Sequence, residues 1–259
     1  MTETPFSVIG RRLPRLDAVD QTTGRIRYAD DLTLPGMLVG RQLASTHAHA
    51  LITSIDTSRA EALEGVRAVL TGADLPITYG ILPISQDENV FAVDRVRYVG
   101  EPVAGVAAVD RETAERALDL IDVQYEPLDE VVTLDQAFDD DRPLIHGEGF
   151  GKNVHRSAAL EFGDVEEGFA SADHIREDIF SFGGTTHAAL ETHAALASYG
   201  TDGRLTLRSS TQIPHYLHRA LEKVLEMPSE RIRVIATPVG GGFGGKTDPF
   251  SHEIAAAKL

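Results

Sequence analysis

The densest chemical signal in this sequence is a run of glycines near its end, Gly240-Gly-Gly-Phe-Gly-Gly-Lys246-Thr247. Five glycines around one phenylalanine strip side chains from the connection, so a bulky ligand can press against the backbone. As a string, Gly240-x-x-x-x-Gly245-Lys246-Thr247 also satisfies the phosphate-loop pattern, in which backbone N–H groups cradle phosphates and the lysine reaches the β/γ oxygens. Two features oppose a P-loop NTPase. Such a loop opens an α/β domain with its metal-binding acidic strand downstream, whereas here the sequence reaches Leu259 soon after, and Pro249 sits just beyond Thr247. Upstream, Gln212 in Ser-Thr-Gln-Ile-Pro can both donate and accept hydrogen bonds toward whatever the glycine loop holds.

Histidines come in close pairs, His47/His49, His187/His193 and His215/His218. The first pair would share one face of a strand, a geometry able to hold a metal. The second lacks the helical H-E-x-x-H spacing, and no pair has an evident third ligand, so structural roles are expected for all three. No G-x-S-x-G nucleophile signature is present.

These residues must be positioned by two kinds of surroundings. In the first part, Met37–Ala44, Leu51–Ile55 and Val66–Leu70 read as strands, and Thr57–Glu64 as a helix stopped by Gly65. Pro102–Val109 is an apolar strand, and Asp110 caps a helix whose Ala114, Ala117, Leu118 and Ile121 share one face. Val123–Tyr125 leads out as a strand. Turn formers and acids from Leu134 to about Glu161, including Asp139-Asp-Asp-Arg-Pro143 and His146-Gly-Glu-Gly-Phe-Gly151, read as a linker. Beyond it, Asp164 caps a short helix through Ala172, and Ile175–Phe182, Leu190–Ser198, Leu205–Ser210 and Arg231–Thr237 read as strands. Leu217, Ala220, Leu221, Val224 and Leu225 make the apolar stripe of a helix. The expected domains are 1–135 and 161–259, joined by 136–160.

Composition narrows the partners. The 259 residues carry 24 Lys+Arg against 40 Asp+Glu, a formal net charge of −16, which disfavours nucleic acid and anionic membrane surfaces. With no cysteine, this chain holds neither disulfide nor iron–sulfur cluster. No apolar run has the length of a membrane helix, and the start lacks the apolar core of a signal peptide, so a soluble, cytoplasmic protein is expected.

In combination the motifs resemble the molybdenum-cofactor subunit of the xanthine dehydrogenase/aldehyde oxidase family. They are Ser209-Ser-Thr-Gln212, the amphipathic helix after it, the Arg-Ile-Arg-Val strand, the glycine loop and Leu190-Glu-Thr-His193. The resemblance extends through Gly24-x-x-x-Tyr28-x-Asp-Asp31, Leu34-Pro-Gly-Met-Leu38, His47-Ala-His49 and Val96-Arg-Tyr-x-Gly-Glu-Pro-Val-Ala104. Within the family, Tyr79-Gly-Ile-Leu-Pro-Ile84, Asp94-x-Val-Arg-Tyr98, Glu161-Phe-Gly-Asp-Val165 and Ala172-Asp-x-Ile-Arg-Glu177 look most like the α subunit of 4-hydroxybenzoyl-CoA reductases.

The resemblance implies an α+β fold, an α/β hammerhead domain followed by the first part of the molybdopterin-binding domain. It implies molybdopterin cytosine dinucleotide held by Gln212, Gly241, Gly242, Phe243 and Gly244, with Gln212 and Phe243 just outside the molybdenum's own ligands. FAD and [2Fe–2S] clusters would sit on partner subunits, in a dimer of heterotrimers. The implied reaction is reductive dehydroxylation of an aromatic CoA thioester. The alternative is hydroxylation of an aldehyde, N-heterocycle or purine with water as oxygen source, and Thr247 stands where purine-oxidising members carry a glutamate. Family members continue well past Leu259, where the resemblance places the catalytic glutamate and an active-site arginine. It therefore assigns no catalytic residue to this sequence, and a fragment, a split subunit or a non-catalytic docking remnant is expected.

Overall fold

The computed structural model describes residues 8–81, 86–146 and 153–259; parts of the Tyr79–Ile84 and His146–Gly151 motifs lie outside them. Counting only described residues, the chain forms two units. One gathers Met1–Gly40, Leu75–Val90 and Ala189–Leu259, the other Arg41–Asp74 and Phe91–Ala188. The short helix α1 (Ala18–Thr22) lies in the first of them.

The second unit is built on two three-stranded sheets. Along the chain come β1 (Val39–Ala44), β2 (Ala50–Asp56), the single turn α2 (Ser58–Glu61), β3 (Val66–Thr71), β4 (Arg95–Val96) and β5 (Pro102–Ala108). Then follow α3 (Arg111–Leu118), β6 (Asp122–Pro127), α4 (Leu134–Phe138) and α5 (Val165–Ala170). The sheet orders are β1-β5-β3 and β4-β2-β6. Strand β5 is buried along nearly its whole length, which is why it reads as a continuous apolar run. Asp110 accepts the Thr113 N–H at 2.8 Å, the cap expected at the start of α3. Ala117 and Ile121 then pack with Ala60, Ala104 and Val106 in one apolar cluster. Small residues let strands and helix approach closely, and Gly105 is the extreme case. A Cβ there would lie 2.6 Å from Cζ of the fully buried Phe91.

Four expected elements differ, three of them in this unit. The helix expected over Thr57–Glu64 is only the single turn α2, ending at Glu61, and Gly65, at φ +95°, turns the chain into β3. The stretch read as a linker contains α4, closed by a capping box in which Thr133 and Gln136 exchange hydrogen bonds. The strand expected over Ile175–Phe182 forms no ladder among the described residues. Its apolar side chains are bare instead, with Ile179 95%, Phe180 90% and Phe182 94% exposed. A strand needs a neighbour for its backbone groups, and composition alone cannot supply one. The helix capped by Asp164 is present as α5.

The first unit holds the sheet β7-β8-β9, formed by β7 (Ala195–Tyr199), β8 (Leu205–Ser209) and β9 (Ile232–Ala236), with α6 (Pro214–Leu225) and α7 (Ser251–Lys258). Helix α6 buries Leu217, Ala220, Leu221 and Val224, as its spacing requires. Strand β7 begins later than Leu190, because residues before it serve the glycine loop.

Candidate functional site

Strands β8 and β9 run parallel, in register from Leu205 opposite Ile232 to Ser209 opposite Ala236. Their C-terminal ends therefore open on the same edge, where ligands settle in parallel α/β arrangements. One end delivers Gln212 and the other the glycine loop. Thr237 continues the junction by donating its N–H to the Ser209 carbonyl at 3.0 Å.

Gln212 and Lys246 grip each other twice. The Gln212 N–H donates to the Lys246 carbonyl at 2.9 Å, and the Lys246 N–H donates to Gln212 Oε1 at 3.2 Å. A backbone N–H can only donate, so the amide atom facing it is oxygen. Among the described residues the nitrogen of the same amide meets no acceptor, so it has two donors to offer. Gly242 lies directly against this group: a Cβ there would come within 2.4 Å of Gln212 Oε1.

The loop kinks through left-handed backbone at Gly241 (φ +107°), Phe243 (φ +52°) and Gly244 (φ +86°). It closes through Gly245 N–H to the Gly242 carbonyl at 2.7 Å and Thr247 N–H to the Gly244 carbonyl at 3.2 Å. Among the described residues, the N–H groups of Gly241, Gly242, Phe243 and Gly244 donate to no acceptor. Consecutive unpartnered amides form a nest for anionic oxygen. The Phe243 ring stands beside it, 76% exposed. The four loop residues that the sequence nominated share the connection from β9 to α7, and Gln212, on the connection from β8 to α6, lies against them.

Lys246 does not serve as a phosphate lysine. Its side chain is 2% exposed and its ammonium lies 2.8 Å from Glu191 Oε2. The Thr247 hydroxyl donates to the Gly244 carbonyl, and α7 starts only at Ser251, so the loop does not open a helix directly. The P-loop NTPase reading is therefore set aside.

At least one histidine of each pair makes a contact within the fold, His193 with the Phe250 ring. His47 packs on the Tyr125 ring at 4.6 Å, His49 Nδ1 meets the Asp129 carbonyl at 2.8 Å, and His218 Nε2 meets the carbonyls of Ser229 and Ile232. Among the described residues no group of three or more His, Cys, Asp or Glu side chains could hold a metal.

Behind the loop, Glu253 at the start of α7 accepts from the Ser209 hydroxyl and from the Phe250 N–H. Burial pushes its carboxyl up to about 7, against the lowering by these two donors. Next to it, His252 is pushed down to about 4, first by burial and then by His193, with which it makes an edge contact. Folding favours the acid form of Glu253, so its stabilising contribution is complete below 4.5 and lost as pH rises through about 7. For His252 the contribution is present above 6.5 and lost as pH falls through about 4. The two slopes oppose each other in mildly acidic solution. Glu253→Gln removes the first, so the stability of the variant relative to wild type is expected to rise by about 1–3 kcal/mol between acid and mildly alkaline solution. Thermal denaturation of both proteins across that range checks this; a constant difference would contradict it.

Comparison with known proteins settles the setting of this loop. Residues 23–129 match the aldehyde oxidase and xanthine dehydrogenase a/b hammerhead domain, and residues 145–259 match the molybdopterin cofactor-binding domain. The chain belongs to the aldehyde oxidase and xanthine dehydrogenase family. It is 36% identical to the nicotinate dehydrogenase large molybdopterin subunit of Eubacterium barkeri, over 94% of this chain and 56% of that one. It is 37% identical to a probable xanthine dehydrogenase subunit of Bacillus subtilis, over 90% of this chain and 31% of that one. Quinoline 2-oxidoreductase from Pseudomonas putida 86 superposes with a TM-score of 0.87 at 33% identity, covering 95% of this chain and 32% of that structure. The chain thus spans between a third and about half of the family members it matches. These relatives are subunits of molybdenum oxidoreductases, and the hammerhead domain followed by the opening of the molybdopterin-binding domain is the fold expected from the sequence. The finer likeness to 4-hydroxybenzoyl-CoA reductases finds no support in these names.

The Glu191–Lys246 pair was not found by sequence reasoning as a unit. Both residues lay inside motifs quoted for the family, but nothing in a pattern joins positions 55 apart.

Proposed function

We propose that this chain is the cofactor-cradling part of a molybdenum hydroxylase acting on an N-heteroaromatic ring or an aldehyde, with water as oxygen source. One observation carries the reading: the N–H groups of Gly241 to Gly244 and the amide nitrogen of Gln212, side by side, meet no acceptor among the described residues. A phosphate-bearing pterin needs such donors, and Gly242 leaves no room there even for a methyl group. When bound, molybdopterin cytosine dinucleotide supplies an acceptor for the two electrons released as a C–H carbon becomes C–OH.

The chain's own residues bind and orient. The loop amides donate to anionic oxygens of the pterin, Gln212 donates from Nε2, and the exposed Phe243 ring offers an apolar wall to a flat substrate. Thr247 offers a hydroxyl already engaged within the loop and no carboxylate, which disfavours a purine. The relatives' names, nicotinate and quinoline among them, fit this substrate class. This chain has no cysteine to hold an iron–sulfur cluster, and the proposal places [2Fe–2S] clusters and FAD on partner subunits, in a cytoplasmic dimer of heterotrimers. The boundaries 1–135 and 161–259 belong to the same proposal. The catalytic base is assigned to the length of the relatives that this chain does not span. No helix among the described residues is long and apolar enough to cross a membrane.

The test is turnover by the complex from its host, with nicotinate, quinoline, an aldehyde, xanthine and 4-hydroxybenzoyl-CoA offered separately in ¹⁸O-labelled water. Label in the hydroxylated product of a heterocycle or aldehyde, with reduction of an added electron acceptor, is expected. Turnover of 4-hydroxybenzoyl-CoA alone, driven by an added reductant, would replace the proposal by the reductive dehydroxylation of an aromatic CoA thioester.

A further inference from the structure

Glu191 belongs to no helix or strand, yet one of its oxygens joins both ends of the glycine loop. Oε2 accepts the Gly240 N–H at 2.7 Å and the Lys246 ammonium at 2.8 Å. The Glu191 N–H in turn donates to the Gly240 carbonyl at 3.2 Å. Both side chains are withdrawn from water, Lys246 to 2% and Glu191 to 11% exposure. Gly240 is packed so closely that a Cβ there would lie 2.7 Å from the Glu191 Cβ. The other oxygen, Oε1, is buried and has no partner among the described residues, so this carboxylate spends its bonding on the loop ends.

We propose that Glu191 and Lys246 form a latch that sets the shape of the glycine loop and, through the Lys246 backbone, the aim of the Gln212 amide. Lys246 is the shared member. Its ammonium is held by Glu191, while its N–H and carbonyl are both held by Gln212. Opening the ion pair frees the end of the loop, and the Gln212 oxygen then loses the N–H that fixes which amide atom points where. The pair also cancels the charge of the one lysine in the loop, so a ligand there meets N–H dipoles and not an ammonium. Glu191 and Lys246 are positioning residues in this account. The inference deepens the cradle reading, but its test needs no cofactor.

The test is amide hydrogen exchange on the full chain, with any polypeptide that co-purifies, for wild type, Glu191→Gln, Lys246→Met, the double variant and Lys246→Arg. Glu191→Gln keeps the shape but strands a buried ammonium. Each neutralising single variant should speed exchange at the hydrogen-bonded amides of Gly240, Gly245, Lys246 and Thr247 by about tenfold or more, while β8 and β9 exchange as in wild type. The double variant should lie closer to wild type than either single one, because no unpaired charge remains. Lys246→Arg should largely restore protection. Uniformly faster exchange through β8 and β9, or unchanged exchange in the loop, would overturn the latch. If a neutralising single variant does not fold, the double variant and Lys246→Arg decide, since an ordinary packing pair predicts no rescue by either. Failure of the cradle reading would show differently, as protected amides at Gly240, Gly245, Lys246 and Thr247 in a protein without pterin.

Discussion

Gly242→Ala is expected to empty the site while leaving the fold standing. The added methyl would fall 2.4 Å from Gln212 Oε1 and 2.6 Å from its Cδ, so the side chain must swing away. Its departure strands the Lys246 N–H and removes the amide nitrogen from beside the nest. One lost hydrogen bond and one mis-aimed donor together correspond to about 10- to 100-fold weaker cofactor retention or turnover. The backbone of Gly242 is not left-handed, and the Gln212 side chain is exposed, so the thermal midpoint should barely move. Gly244→Ala is the control. Nothing lies within 4 Å of its Cβ position, and only its φ of +86° opposes a side chain. That strain costs about 1 kcal/mol and leaves Gln212 in place. Pterin content and melting temperature of the two variants, measured side by side, check the contrast.

Phe91→Ala should be the most damaging single change to stability, at about 3–5 kcal/mol. The ring is fully buried and lies over the bare backbone of Gly105 in β5. The chain at its own position is equally tight, because a Cβ on Gly72 would meet the Phe91 carbonyl oxygen at 2.9 Å and that of Ala92 at 2.6 Å. Neighbours held by backbone contact cannot collapse into the space the ring leaves. Gly105→Ala tests the same contact from the other side and should cost about 1–3 kcal/mol by overpacking. Urea denaturation of the two variants and of Gly105→Ala combined with Phe91→Leu checks this. The combination should be less damaging than the sum of its parts, since a smaller ring-site residue makes room for the methyl.

The parts of the fold that could be read in the sequence are those decided by local rules. Helix α6 follows from apolar residues at helical spacing, and α3 and α5 from aspartates whose side chains reach an N–H three residues on. Helix α4 carried its own sign, Thr133 three residues before Gln136, which the acidic, turn-rich surroundings obscured. The extended stretch from Ile175 to Phe182 has strand composition without a strand, because pairing is a property of two segments and not of one. The candidate site divides the same way. Glycines and Gln212 announced a ligand-facing loop, since few other roles need backbone so bare. The left-handed Phe243, the choice of amide atom on Gln212 and the Glu191 latch arise only when separated segments meet.

The Gly241–Gly244 nest and Gln212 are proposed to hold a molybdenum pterin. The most direct measurement is metal and nucleotide analysis of the protein purified from its host with whatever polypeptides accompany it. Stoichiometric molybdenum, with cytosine nucleotide released on acid treatment and both depleted in Gly242→Ala, is the predicted result. Partner subunits carrying FAD and iron–sulfur clusters on a chain that holds no molybdenum would contradict the account.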